Sequence, residues 1–305
     1  MVVIQSHPGA LDAASASQVR SILETATLHD GVSPLSEDFL LALEAPTNEV
    51  AHLLVRHQDK LVGYAGVDLS RPEAAVAELF ITPEDRRQGF GRLVVGQIKK
   101  LGDHSETQVW AHGNLEGAQV LARRTNFTAT RELGILRLNL ADRPEPTPIP
   151  PCFQLTTFDA EEHAGAWLRA NKRAFAWHPE QGRLTQADLA ARIDQDWFRA
   201  DGFFLAWHGT DLAGYVWVKD SEPDSGSAEI YVVGVDPLFQ GIGLGSALVS
   251  TAFDYISALG RTGVFLWSDL GNTAAMRTYT KVGFAIHKVD VLYSATNQDH
   301  RSTKS

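Results

Sequence analysis

Cysteine occurs once in these 305 residues, as Cys152, so no internal disulfide framework can form and a reducing, cytoplasmic setting is expected. No apolar run reaches the roughly 18 residues of a membrane span. The first residues also lack the basic-then-apolar order of a secretory leader. The histidines are scattered singly, without the spacing of metal ligands, so no metal is expected. Cys152, beside a proline run and without a nearby His-Asp pattern, reads as an inert thiol. Positive charge is short as well. With 27 Lys and Arg against 37 Asp and Glu, the formal net charge is −10. That balance argues against non-specific nucleic-acid binding and suits a cationic substrate. Gly-Lys-Ser/Thr is missing, which excludes a P-loop.

The stretch that is present and organises the rest is EIYVVGVDPLFQGIGLGS, Glu229 to Ser246. Its β-branched and aromatic start reads as a strand, and Gly234 inside it marks a bulge or a close backbone approach. Asp236-Pro237 turns the chain, and the glycine-rich segment from Gln240 leads into a helix. Strand, glycine turn and helix start aim several free N–H groups at one point, a nest for phosphate. Gln240, Gly243, Gly245 and Pro237 each stand 154 residues after Arg86, Gly89, Gly91 and Pro83. A repeat at that spacing is a duplication of a whole domain, and 305 residues suit two domains of about 150.

Helical patterns cover about 14–28 and 37–44, and strand-like runs follow at 50–57, 61–68 and 75–82. After the first glycine turn come a helix at 91–101, a strand at 107–111, a helix from Asn114 and a strand near 128–140. Five prolines between Arg143 and Pro151 read as a stiff, extended linker. The second copy repeats the order: strand 153–158, helix 160–175, the loop HPEQG at 178–182, and a helix capped by Thr185. Strands 203–208 and 212–219, the organising stretch, strand 264–267, a helix from Asn272 and a final strand from Phe284 complete it. The expected division is residues 1–140 as an N-terminal domain, 141–151 as linker and 152–305 as a C-terminal domain. The fold class is α/β, with an α+β-type mixed sheet in each copy.

The pattern Gln240-x-x-Gly243-x-Gly245 after a strand and Val-Asp-Pro resembles the acyl-CoA signature of the GNAT superfamily of N-acetyltransferases. A dinucleotide fingerprint would instead open a βαβ unit, with an acidic residue about 20 positions on. The resemblance implies two tandem GNAT domains and acetyl-CoA as co-substrate. It places the donor against Val233, Gly234 and Val235, then Gln240, Gly241, Ile242, Gly243, Leu244, Gly245 and Ser246, and Asn272, Thr273, Ala274, Ala275, Met276 and Arg277. In the first copy the matching positions are Leu79, Phe80, Ile81, Arg87, Gln88, Gly89, Phe90, Gly91 and Arg92.

Acetyl transfer to an amine needs donors for the thioester oxygen, a base for the ammonium and an acid for the departing thiolate. The backbone around Val233–Val235, read as bulged, supplies the donors. Strand alternation puts Glu229 on the side of Tyr231, Val233 and Val235, hence of the donor groove, where it serves as base. Tyr279, two helical turns after Asn272, shares its face; the resemblance makes it the acid. The first copy has Ala75 at the position of Glu229 and Leu121 at that of Tyr279, and Glu78 has the opposite parity. It is read as able to bind acyl-CoA but not to catalyse.

NKRAFAWHPE at 171–180, the strand ending in Lys219, EIYVVGVDP and NTAAMRTYTKVGF at 272–284 resemble the mycothiol synthase family. These tandem enzymes acetylate the cysteinyl amine of Cys-GlcN-inositol. The resemblance implies substrate contacts from Glu37, Glu180, Lys219, Glu229, Trp267 and Tyr279, with Glu37 and Glu180 in different copies. Gly241 stands where many members have arginine, and Trp267 where tyrosine is usual. A monomer is expected. Two alternatives stay open: a GNAT acting on a protein N-terminus, antibiotic or polyamine, and a non-catalytic acyl-CoA-binding module.

Overall fold

The apolar hairpins ahead of each glycine turn form the centres of two compact units in the structure, a computed structural model that describes residues 2–44, 49–101, 104–176, 181–221 and 225–297. The first unit takes in the residues up to Leu133 and those from Val289 onward; the second runs from Gly134 to Lys288.

In the first unit, β1 (Val2–Pro8), β2 (Val50–His57), β3 (Lys60–Asp68), β4 (Ala74–Ile81) and β5 (Glu106–Ala111) are neighbours in that order. The first four pair antiparallel, and β4 with β5 is parallel. That parallel step needs a crossover, and α3 (Phe90–Ile98) supplies it. Helices α1 (Ala13–Asp30) and α2 (Glu37–Ala42) cover one face of the sheet. α3 and α4 (Glu116–Arg124) cover the other. Asp12 caps α1 by accepting from Ser15 N, and Gly31 ends it in the left-handed region at φ 69°. β1 was not anticipated; it is mostly exposed and shows no clean apolar alternation.

The second unit repeats the plan with the order β6-β11-β10-β9-β8-β7. Its strands are β6 (Thr128–Asn139, of which residues from Gly134 belong here), β7 (Gln154–Thr157), β8 (Phe203–His208), β9 (Asp211–Lys219), β10 (Ser227–Val235) and β11 (Gly263–Asp269). Helices α5 (Ala160–Ala174) and α6 (Gln186–Ile193) pack an aromatic core on one face, around Trp167, Phe203, Tyr215 and Trp217. Thr185 starts α6 with a reciprocal capping box to Asp188. α7 (Leu244–Ala258) and α8 (Thr273–Lys281) close the aliphatic core on the other face.

Two details depart from the sequence reading. The last strand, β12 (Ala285–Thr296), is divided between the units, and its segment Val291–Thr296 pairs antiparallel with β5. In return, Leu136 and Leu138 of β6 are buried in the core of the second unit. The proline run is not a free spacer either. Arg143 Nη1 donates to Asp254 at 2.8 Å, Thr147 N to Ser250 Oγ at 3.1 Å, and Ile149 packs on the core under α7.

Candidate active site

The donor side is built by the turn between β10 and α7. Gly241 and Gly243 adopt φ 79° and 87°, a region costly for residues with a Cβ. A Cβ on either would meet nothing within 4 Å, so both face open space. α7 has no side-chain cap and no acidic residue in its first turn, which leaves its first N–H groups unclaimed. They border a cavity of about 1020 Å³ lined by residues 233–235, 243–246 and 271–275 together with Gln240, Gly241, Arg277 and Tyr279. Ile242 and Met276, expected among the donor contacts, are not in its wall. Arg173, Phe175 and Lys281 line it without having been anticipated. The sequence signal for Arg173 was only a basic residue in a helix's last turn.

The cavity exists because two strands part. β10 and β11 pair in parallel from Ser227↔Gly263 to Glu229↔Phe265, and no further, although both continue. Beyond Glu229 the β10 amides that point toward β11 have no strand partner. These are the groups available to a thioester oxygen.

The expected bulge at Val233–Val235 lies elsewhere. Register with β9 shifts between Ile230 and Val232, making Tyr231 the extra residue. Gly234 answers to close approach instead, since a Cβ there would lie 2.5 Å from Tyr215 Oη.

The bulge overturns the expected parity of Glu229. Cross-strand partners share a face: Glu229 pairs with Lys219 and Val232 with Trp217, whereas Val233 pairs with Val216 and Val235 with Gly214. Glu229 therefore faces the aromatic side with Lys219 and Trp217, opposite to Val233 and Val235, because one inserted residue inverts the alternation. By the same shift its register equivalent in the first unit is Val76, not Ala75, and that of Val232 is Glu78.

The site is thus two-sided. On one face stand Glu229, Lys219 and, by alternation from Phe265, Trp267, which is 43% exposed. Lys219 Nζ lies 5.0 Å from the Trp197 ring centre and 5.6 Å from that of Tyr231. Tyr231 Oη accepts from Arg192 Nε at 3.1 Å. Burial pushes the Glu229 carboxyl above its ordinary range, and the charge of Lys219 partly offsets this. On the other face, Asn272 caps α8 by accepting from Ala275 N at 3.1 Å. Tyr279, buried in that helix, lines the donor cavity. Burial raises its phenol to about 12, so at neutral pH it keeps the proton an acid needs. Glu37 lies in the first unit, exposed in the first turn of α2, and Glu180 falls outside the described residues.

The first unit has the matching cavity, about 670 Å³, lined by residues 79–81, Arg87, 89–92 and Leu121, but not by Gln88. Here β4 and β5 stay paired through Glu78↔Trp110, so their parting begins farther along. A buried ionic group fills the place where they part. Glu78 accepts from Ser36 N at 2.6 Å and lies 3.1 Å from His112 Nε2, outside hydrogen-bond alignment. His112 Nδ1 bonds Asp290 at 2.8 Å, and Asp290 also accepts from Gly113 N at 2.7 Å. Burial alone would lower the imidazole, but Asp290 and Glu78 outweigh it and raise it to about 9.

A raised histidine stabilises fully below its unfolded value near 6.5, and that contribution is lost as pH climbs through 9, here about 3 kcal/mol. The melting temperature should accordingly fall between pH 7 and 9.5, and His112→Gln should flatten that slope. An unchanged slope in the variant would refute the assignment.

A glycine turn, a helix start and a pair of parting strands, repeated twice, define an acyl-CoA-dependent acyltransferase fold. The chain belongs to the GNAT family of acetyltransferases, whose family model matches residues 17–124 and again 160–284. GNAT acetyltransferases use acetyl-CoA. Among curated relatives, the chain is 43% identical to the mycothiol acetyltransferase of Sanguibacter keddieii over 92% of this chain and 93% of that one. It is 40% identical to the mycothiol acetyltransferase of Actinosynnema mirum over 93% and 97%. Among solved structures, a GCN5-related N-acetyltransferase from Sphaerobacter thermophilus covers 96% of both chains with a TM-score of 0.74 and 21% identity. A tandem GNAT protein of the clavulanic acid pathway gives 0.69 at 18% identity over 97% and 99%. Among the described residues, no helix is long and apolar enough to cross a membrane, and no group of three His, Cys, Asp or Glu is placed to hold a metal ion.

Proposed function

We propose that this chain moves acetyl from acetyl-CoA to the cysteinyl amine of Cys-GlcN-inositol, the last step in making mycothiol. The reading rests on one observation: a cleft between parting strands with a carboxylate of raised pKa on one face and a donor loop and buried phenol on the other. Donor and acceptor approach from opposite faces, and the thioester lies in the gap. Glu229 takes the ammonium proton, the freed amine attacks, and the unpaired β10 amides hold the developing oxyanion. The tetrahedral intermediate collapses, Tyr279 protonates the leaving CoA thiolate, and the acylated nitrogen sheds its surplus proton, which returns Tyr279 to the phenol directly or through water. Lys219 and Trp267, on the face of Glu229, contact the sugar and inositol hydroxyls.

Chemistry belongs to the second unit, Gly134–Lys288, while the first holds acyl-CoA without turning it over. Each step is carried by side chains and amides of this chain, with no call on a metal. We further read the protein as a cytoplasmic monomer, from its single cysteine and from a donor cavity formed within one unit. The deciding assay follows thiol release from acetyl-CoA with Cys-GlcN-inositol and, in parallel, a peptide N-terminus, an aminoglycoside and a polyamine. Turnover with one of the latter and none with Cys-GlcN-inositol would replace the acceptor while leaving the acyltransferase intact.

A further inference from the structure

The second donor loop carries no basic side chain. Gln240, Gly241 and Ile242 stand where the first unit has Arg86, Arg87 and Gln88. In the first unit Arg86 is a strut: its Nε donates to the Ile81 carbonyl at 2.9 Å, and both Nη groups donate to Asp30 at 2.8 and 2.6 Å. Arg87 is then the basic residue left facing the cavity at this point of the loop. In the second unit Gln240 takes over the strut, its Nε2 donating to the Val235 carbonyl at 3.1 Å. Val235 is the register equivalent of Ile81. The loop has kept its brace and lost its charge.

A charge arrives from another element. Arg173, in the last turn of α5, lines the donor cavity together with Gln240 and Gly241. Its Nε donates to Asp236 Oδ2, and the other oxygen of Asp236 accepts from Leu238 N at 3.0 Å. Asp236 is 2% exposed and sits at the root of the loop, so it fixes the inner edge of the guanidinium. The Arg173 side chain is nonetheless 49% exposed, and neither Nη has a protein partner among the described residues. A planar, pre-oriented fork with two free edges is the group best suited to phosphate oxygens. Arg277 and Lys281 also line the cavity, but neither is aimed by a carboxylate among the described residues.

We infer that Arg173 is the phosphate-binding cation of the second donor site, supplying from α5 the charge its loop lacks, with Asp236 as its positioning residue. The ligand class is the pyrophosphate of an acyl-CoA, and the inference rests on reading this cavity as the donor site.

The test compares two donors in the full-length protein: acetyl-CoA and S-acetylpantetheine, which lacks the pyrophosphate. Arg173→Gln should raise KM for acetyl-CoA about ten- to a hundredfold, the worth of a charged hydrogen-bond pair. Its kcat/KM for S-acetylpantetheine should stay within about twofold of the parent's. Adding Gly241→Arg should recover affinity for acetyl-CoA, because Arg87 already occupies the matching left-handed position at φ 63°. An equal loss with both donors would overturn the inference, as that is the mark of a structural role. An unchanged KM for acetyl-CoA would overturn it too. Failure of the underlying reading looks different: Gly243→Glu would then leave acetyl-CoA turnover intact.

Discussion

Glu229→Gln should lower turnover by about 10²–10⁴-fold, the usual cost of removing a positioned general base, while affinity for acetyl-CoA changes little. An alkylammonium acceptor is mostly protonated at neutral pH, so a proton must leave before attack. Glu229 lies beside the point where β10 and β11 part, and burial holds its carboxyl above the ordinary range. That shift brings its basicity closer to the working pH than a solvated carboxylate would be. The acid limb of kcat/KM should therefore stand above the ordinary glutamate value of 4.5 in the parent and vanish in Glu229→Gln. Tyr279→Phe should cost less, because CoA thiolate is a tolerable leaving group. Should Glu229→Gln instead keep near-normal kcat with a sharply raised acceptor KM, Glu229 would be a clamp, and the base would be water or another residue.

Gly243→Glu should abolish activity, whereas Gly89→Glu should leave substantial turnover. The pair is informative because the backbones match: φ is 87° at Gly243 and 86° at Gly89, and a Cβ at either meets nothing within 4 Å. Both variants therefore carry the same conformational penalty, about 1–2 kcal/mol for a side chain in the left-handed region. Both also put a carboxylate where a helix N-terminus awaits phosphate. Only the site differs. Loss of all activity from the Gly89 change, in a folded protein, would move catalysis away from the second unit.

Much of this was legible before any coordinates. The 154-residue spacing announced the duplication, and the glycine turns marked both cavities, because turn chemistry is local and glycine there has a backbone reason. What stayed hidden was set by tertiary contacts. Period-two alternation placed Glu229 beside Val233, but a single extra residue at Tyr231 inverted that relation. Tyr231 sits between Trp197 and Trp217, each 5.2 Å away by ring centres, and nothing in its own segment distinguishes it from an ordinary strand residue. Glu78, set aside in the sequence for its opposite parity, proves to belong to a buried group with His112 and Asp290, His112 standing just past the end of β5. Arg173 lies 63 residues from the carboxylate that aims it, beyond the reach of motif spacing.

The division of β12 bears on how this protein emerges from the ribosome. β5 reaches its antiparallel neighbour only through Val291–Thr296, and His112 gains Asp290 across 178 residues of chain. At about 5–20 residues per second, that stretch takes on the order of ten to forty seconds to synthesise. Through that interval the first unit has an open sheet edge and a His112 ring without its Asp290 partner, so the domain made first is finished last. Chaperone contact during synthesis should therefore fall on the amino-terminal half, and chains terminated before Val291 should fail there rather than at the truncated end.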